Sequence, residues 1–117
     1  MLEVFVFGSN EAGRHGKGAA LTAKLKHGAI YGQGEGFQGR SYGIPTKDGK
    51  LKSLPLAKIE RNVRRFLIFA YQNPDMLFNI SRVGCGLAGF TPSQIAPFFK
   101  DMPDNCILPP DFQAILT

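Results

Sequence analysis

Apolar runs alternate with glycine-rich turns along this chain, and the spacing changes character from run to run. Leu2–Phe7 is rich in valine and phenylalanine with no break, which predicts a buried strand. Gly8–Gly18 follows as a loop with glycines at 8, 13, 16 and 18. Ala19–Lys26 predicts a helix from Ala20, Leu21, Ala23 and Leu25, stopped by Gly28. Short strands are expected at Ala29–Gln33 and Ser41–Pro45, with a turn over Gly34–Arg40 and an Asp48-Gly49 turn after Thr46-Lys47. Ile59, Val63, Phe66 and Ala70 then recur at i, i+4, i+7 and i+11. That spacing predicts one apolar helix face, on a helix opened by Ser53-Leu54-Pro55 and reaching Gln72, with Arg61, Arg64 and Arg65 off the face. Asn73-Pro74-Asp75 ends it.

The second half repeats the first unit. An apolar run, Met76–Ile80, begins a strand expected to continue to Val83, and the segment Arg82–Pro92 carries Gly84, Gly86 and Gly89. Thr91-Pro92-Ser93-Gln94 reads as a capped helix start, with proline at the first helical position and glutamine closing a capping box. Pro97 should kink or shorten that helix. Cys106-Ile107-Leu108 predicts a last strand, closed by Pro109-Pro110. The order β-loop-α-β-β-α-β-loop-α-β predicts one α/β domain over residues 1–117, a three-layer α/β/α sandwich with a mixed central sheet. Ligands of such sheets sit beyond the carboxyl ends of the strands. Two glycine loops on one edge, each backed by a helix N-terminus, suit a ligand with two phosphates. The alternative is a pair of tight strand-to-helix turns with no ligand.

Composition narrows this picture. With 44% hydrophobic residues and ten phenylalanines, the 117-residue chain can bury a core without metal or disulfide staples. The formal charge of +5 favours anionic partners. The basic residues are scattered, however, with no stripe interleaved with aromatics, so nucleic acid is not expected as a partner. No apolar run approaches a membrane span or a signal peptide, and Cys85 and Cys106 have no metal-ligand or disulfide-framework spacing. A cytoplasmic protein with reduced thiols, no metal and no cofactor is expected. The glycine loops lack GxxxxGK[ST], and Gly13–Gly18 does not form GxGxxG, which excludes a P-loop and the dinucleotide fingerprint.

Taken together, the glycine segments resemble those of the macrodomain family. The nearest likeness is to the small class that uses a lysine to remove ADP-ribose from acidic side chains. Arg82-Val83-Gly84-Cys85-Gly86-Leu87 is similar to that class's R-I-G-C-G-L segment, Gly16-Lys17-Gly18-Ala19-Ala20 to its G-x-G-[IA]-A, and Ile44-Pro45-Thr46-Lys47 to its Thr-Lys segment. The likeness runs from about Val4 to Phe99. It implies a macrodomain-like sandwich binding ADP-ribose, free or on an ADP-ribosylated protein. Gly8, Ser9 and Asn10 would line the ligand, with Asn10 near adenine or ribose. Gly16, Gly18 and Ala19 would follow the distal ribose and pyrophosphate. Gly84, Cys85, Gly86, Leu87 and Ala88, continued by Gly89 and Phe90, would wrap the phosphates. Lys47 matches the lysine that attacks the anomeric carbon. The family places an aspartate directly after G-C-G-L, and here that position is Ala88.

Other candidates have two readings each. His15, between glycines, either faces the distal ribose as a donor or base or is a solvent-exposed loop residue. Glu35, between two glycines, is a general base or a turn residue. Phe37, Tyr42 and Phe90 stack on adenine or join the core. Cys85 is a small buried hydrophobe or a nucleophile beside His15, the first being favoured. Two function classes follow: a binding module for ADP-ribose or a related nucleotide, and a hydrolase acting on ester-linked, phosphorylated or acylated ADP-ribose. The missing aspartate favours the first, and catalytic roles for Lys47, His15 and Glu35 belong to the second.

Overall fold

The computed structural model describes residues 1–117 as a five-stranded mixed sheet with four α-helices. The elements are β1 (Leu2–Asn10), α1 (Gly18–Lys26), β2 (Gly36–Gln38), β3 (Ser41–Lys47), α2 (Leu56–Gln72), β4 (Met76–Ile80), α3 (Pro92–Ile95), β5 (Cys106–Ile107) and α4 (Pro110–Leu116). The strand order is β2-β3-β1-β4-β5. β1 runs parallel to both β3 and β4, β4 runs parallel to β5, and only β2 is antiparallel.

Side-chain alternation along β1 divides the interior. Val4 and Val6 enter the main core with Ile59, Val63, Phe66 and Ala70 of α2 and with Phe99 and Phe112. Phe5 and Phe7 belong to a smaller cluster with Ala20 and Ala23 of α1. The period read from the sequence therefore holds in α2: its four marker residues have no exposed surface, while Arg61, Arg64 and Arg65 are exposed. A buried asparagine on the same helix, Asn62, donates to the Pro45 carbonyl at 2.9 Å and ties α2 to β3.

Several elements differ from expectation. Ala29–Gln33 is not a strand, because its polar groups are satisfied locally. Gln38 Oε1 accepts from the Ile30 N–H at 2.7 Å and Gln38 Nε2 donates to the Gln33 carbonyl at 3.1 Å. The expected turn instead contains β2. β1 continues past Phe7 to Asn10, since β3 pairs alongside it as far as Lys47. β4 stops at Ile80, where the Ser81 N–H and hydroxyl both bond the Val6 carbonyl, at 2.9 and 2.7 Å, and turn the chain. Pro109-Pro110 follows the last strand as expected, and Pro110 also starts a further helix, α4, that was not expected. A proline at the first helical position suits that role. Gln94 reaches back to the Thr91 N–H at 2.9 Å, the pairing expected of a capping box. The helix it opens is only one turn long, passing into a 3-10 segment, Ala96–Phe99, at Pro97.

The topology makes one place on the sheet special. From β1 the chain crosses through α1 toward β3, on one side. From β4 it crosses through α3 toward β5, on the other side. The loops after β1 and β4 therefore diverge, and a crevice opens between them beyond the carboxyl ends of the strands.

Candidate functional site

That crevice has a volume of about 690 Å³, a size that suits a small-molecule ligand. It is walled by the loop after β1, the end of β3 and the loop after β4. Gly8, Ser9, Asn10, Gly16, Gly18 and Ala19 line it on one side. Gly84, Gly86, Leu87 and Ala88 line it on the other, with Lys47 between. Two glycine loops far apart in sequence thus face one space.

The first wall is the start of α1. Its N-cap residue is Lys17, which provides no side-chain hydrogen bond, and its first turn holds no acidic residue. The first backbone bond into the helix is from the Leu21 N–H to the Lys17 carbonyl, at 3.3 Å, so the N–H groups of Gly18, Ala19 and Ala20 have no partner within the chain. A serine, threonine, aspartate or asparagine cap would stabilise such a helix by about 0.5–2 kcal/mol relative to an uncapped start. A lysine there also adds positive charge at the positive end of the helix dipole. An anion in the crevice would remove both penalties.

The second wall is the 84–90 loop. Gly84 must be glycine for structural reasons: its φ is +78°, and a Cβ would lie 3.1 Å from Ile95 Cδ1. Gly86 is different. Its backbone needs no positive φ, and a Cβ there would meet nothing within 4 Å. Packing gives no reason for glycine at 86, whereas close approach of a ligand to the backbone does. The N–H groups of Gly86, Leu87 and Ala88 have no acceptor within the chain. The loop is held in place from outside, by the Ser53 hydroxyl donating to the Ala88 carbonyl at 2.6 Å.

Lys47 owes its position to an irregularity. Ser9 pairs with Pro45 and Asn10 with Lys47, so Thr46 is an extra residue on β3. Pro45 sits where the missing N–H costs little, and the bulge changes the direction of the side chains that follow. Asp48 is engaged in its own turn, its Oδ1 accepting from the Lys50 and Lys52 N–H groups at 2.8 and 3.0 Å. Those bonds, the one from Lys52 first, hold its carboxyl below the usual range.

The electrostatics have one sign. Arg14, Lys17, Lys47 and Arg82 line the crevice and no aspartate or glutamate does. Arg82 pairs with Asp111 at 2.7 Å, which leaves three cations without an ion pair. Arg14, Thr46, Leu51 and Ser81 were not singled out as ligand contacts in the sequence. Arg14 had a local signal, a cation inside a glycine loop; Leu51 had none.

Other expected residues lie elsewhere. His15 is neither in the crevice nor in solvent: it is fully buried, edge-on to Phe7 at 5.3 Å and to Tyr31 at 6.4 Å, and neither ring nitrogen has a hydrogen-bond partner. Burial pulls its pKa below the ordinary 6.5, the nearby Gln33 backbone opposes this, and Lys24 reinforces it. Glu35 is paired with Arg65, at 2.9 and 3.1 Å, and so serves to hold the β2 edge to α2. Cys85, Gly89 and Phe90 are not crevice residues; Cys85 and Phe90 pack against the main core. Burial raises the Cys85 thiol pKa, which disfavours a nucleophilic thiolate. Tyr42 meets Phe66 at 5.0 Å and Phe37 stacks on Phe69 at 5.5 Å, both away from the crevice.

The His15 geometry has a consequence for stability. Its folded-state pKa lies below the unfolded value, so the unfolded chain binds the extra proton first. The contribution is fully present above about pH 6.5 and is lost as pH falls toward the folded-state pKa. Thermal melts from pH 7.5 to 5.5 should show wild type losing stability, with a shallower loss in His15→Phe. Equal slopes for the two proteins would show that this imidazole is not the group responsible.

No family model matches this chain, and no curated protein or solved structure matches it either. No helix is long and apolar enough to cross a membrane.

Proposed function

We propose that the chain binds ADP-ribose or a closely related nucleotide, as a macrodomain-like three-layer α/β/α sandwich whose two glycine loops hold the diphosphate. The observation that carries this reading is the set of unpaired donors around one crevice. The N–H groups of residues 18–20 and 86–88 come from opposite walls, three cations stand free of ion pairs, and no carboxylate opposes them. The reading places the protein in the cytoplasm, in keeping with its two free cysteines. ADP-ribosylated protein would be the macromolecular form of the same ligand.

A hydrolase reading rests on Lys47, which lines the crevice without an ion-pair partner. Attack by lysine needs an amine free of its proton and a second group to handle the proton of the leaving oxygen. The crevice holds no carboxylate for that work. Binding with weak or no turnover follows. When wild type is incubated with a glutamate-linked ADP-ribosylated protein, release of ADP-ribose should be slow or undetectable. Ala88→Asp should raise any release that depends on Lys47, because Ser53 joins the two positions, pairing with Lys47 and bonding the Ala88 carbonyl at 2.6 Å. Fast release by wild type, abolished in Lys47→Ala, would overturn the assignment as a binding module.

A further inference from the structure

We infer that Leu51 is a specificity-determining residue of the crevice: its side chain packs on the nucleoside of the ligand, so that a nucleotide binds more tightly than a bare diphosphate. This rests on the nucleotide-binding reading above and names the residue that contacts the ligand beyond its phosphates.

Leu51 lies in the short hairpin between Lys47 and Ser53, which pair with each other in antiparallel fashion. The Leu51 N–H donates to the Asp48 carbonyl at 3.1 Å, and the Asp48 N–H donates to the Lys52 carbonyl at 2.7 Å. Asp48 Oδ1 accepts from the Lys50 and Lys52 N–H groups and completes the turn. The hairpin is also tied to both glycine loops. The Glu11 N–H donates to the Lys47 carbonyl at 2.9 Å, and the Ser53 hydroxyl donates to the Ala88 carbonyl at 2.6 Å. None of these bonds uses the Leu51 side chain.

Two properties make leucine an unexpected choice at this position. Its φ is +65°, the one positive value outside glycine. A turn that closes with a left-handed residue favours glycine or asparagine there, because other side chains crowd the backbone. Leu51 is also 47% exposed and belongs to neither hydrophobic cluster. Neither the backbone nor the core therefore accounts for it. It does line the crevice, where Leu51 and Leu87 are the two large apolar side chains among glycines, alanines, polar residues and cations. Leu87 belongs to the 84–90 loop, whose N–H groups face the phosphates, whereas Leu51 stands on a separate wall. Strain kept at a crevice wall, on an exposed apolar residue, fits a side chain that contacts a ligand. Covering that surface with a sugar or base removes it from water and strengthens binding.

The test combines thermal melts with calorimetry of ADP-ribose and inorganic pyrophosphate, on wild type, Leu51→Asn and Leu51→Met. Wild type should bind ADP-ribose at least about tenfold more tightly than pyrophosphate. Asparagine suits the left-handed conformation, so Leu51→Asn should melt about 2 °C or more above wild type. The same variant should lose about fivefold or more of the preference for ADP-ribose over pyrophosphate. Stability and selectivity thus move in opposite directions, which a purely structural leucine would not produce. Leu51→Met keeps an apolar side chain and should keep most of the preference. An undiminished preference in Leu51→Asn, or a melting temperature no higher than wild type, would overturn the inference and leave the nucleotide-binding reading standing. So would wild type binding pyrophosphate as tightly as ADP-ribose, or Leu51→Met losing as much preference as Leu51→Asn. Failure of wild type to bind ADP-ribose at all would overturn the reading and the inference together.

Discussion

Phe66→Ala should cost about 3–5 kcal/mol of folding stability. Phe66 is fully buried on α2 at the centre of an aromatic cluster. Its ring lies 5.0 Å from Tyr42, 5.3 Å from Phe78 and 6.4 Å from Phe99. These partners come from β3, β4 and the 3-10 segment, so the one ring joins α2 to the sheet and to the chain beyond the second glycine loop. Truncation removes the transfer energy of the ring and leaves a cavity that rigid neighbours cannot fill. A denaturant titration should show a lower midpoint with an unchanged slope. A loss under about 1 kcal/mol would mean that the cluster collapses onto the gap and that α2 is held by other contacts.

Gly86→Val should fold normally and lose most of its ligand affinity. The conformation at 86 needs no positive φ, and a Cβ would meet nothing within 4 Å. The valine side chain would then stand beside the unpaired N–H groups of residues 86–88 and keep phosphate oxygens away from them. Binding should weaken by well over tenfold, about 1.4 kcal/mol or more. Gly84→Val is the instructive contrast, because its positive φ and its closeness to Ile95 make it a folding variant. A Gly86→Val protein with wild-type melting and wild-type affinity for ADP-ribose would place the ligand elsewhere.

The parts of this molecule that were legible in sequence are those written in local chemistry. The two strand, glycine-loop and helix units were marked by apolar runs and by punctuation, and α2 by its period. What was not legible depends on contacts distant in sequence. The side on which each crossover lies decides that both loops open on one crevice, and no local pattern encodes that choice. The bulge at Thr46 arises from pairing with a strand some 36 residues earlier. His15 looked like a loop residue because its neighbours are glycines, but it is buried edge-on to Phe7 of β1 and to Tyr31, sixteen residues on. Glu35 looked available until Arg65, thirty residues on, was placed beside it. α4 had no marker of its own, since the Pro109-Pro110 pair that ends the last strand serves equally as a helix start. Lys17 was visible as a residue, but its role at an uncapped helix start appears only once the hydrogen bonds are counted.

Whether the crevice is a nucleotide site is tested most directly by calorimetric titration of wild type with ADP-ribose, alongside ATP, NAD and a short DNA duplex. The account predicts saturable one-to-one binding of ADP-ribose that weakens as salt is raised, since cations and N–H donors carry it. It also predicts displacement of ADP-ribose by excess pyrophosphate. Absence of heat with ADP-ribose, together with saturable binding of the DNA, would contradict the account and assign the protein's positive charge to a nucleic-acid partner instead.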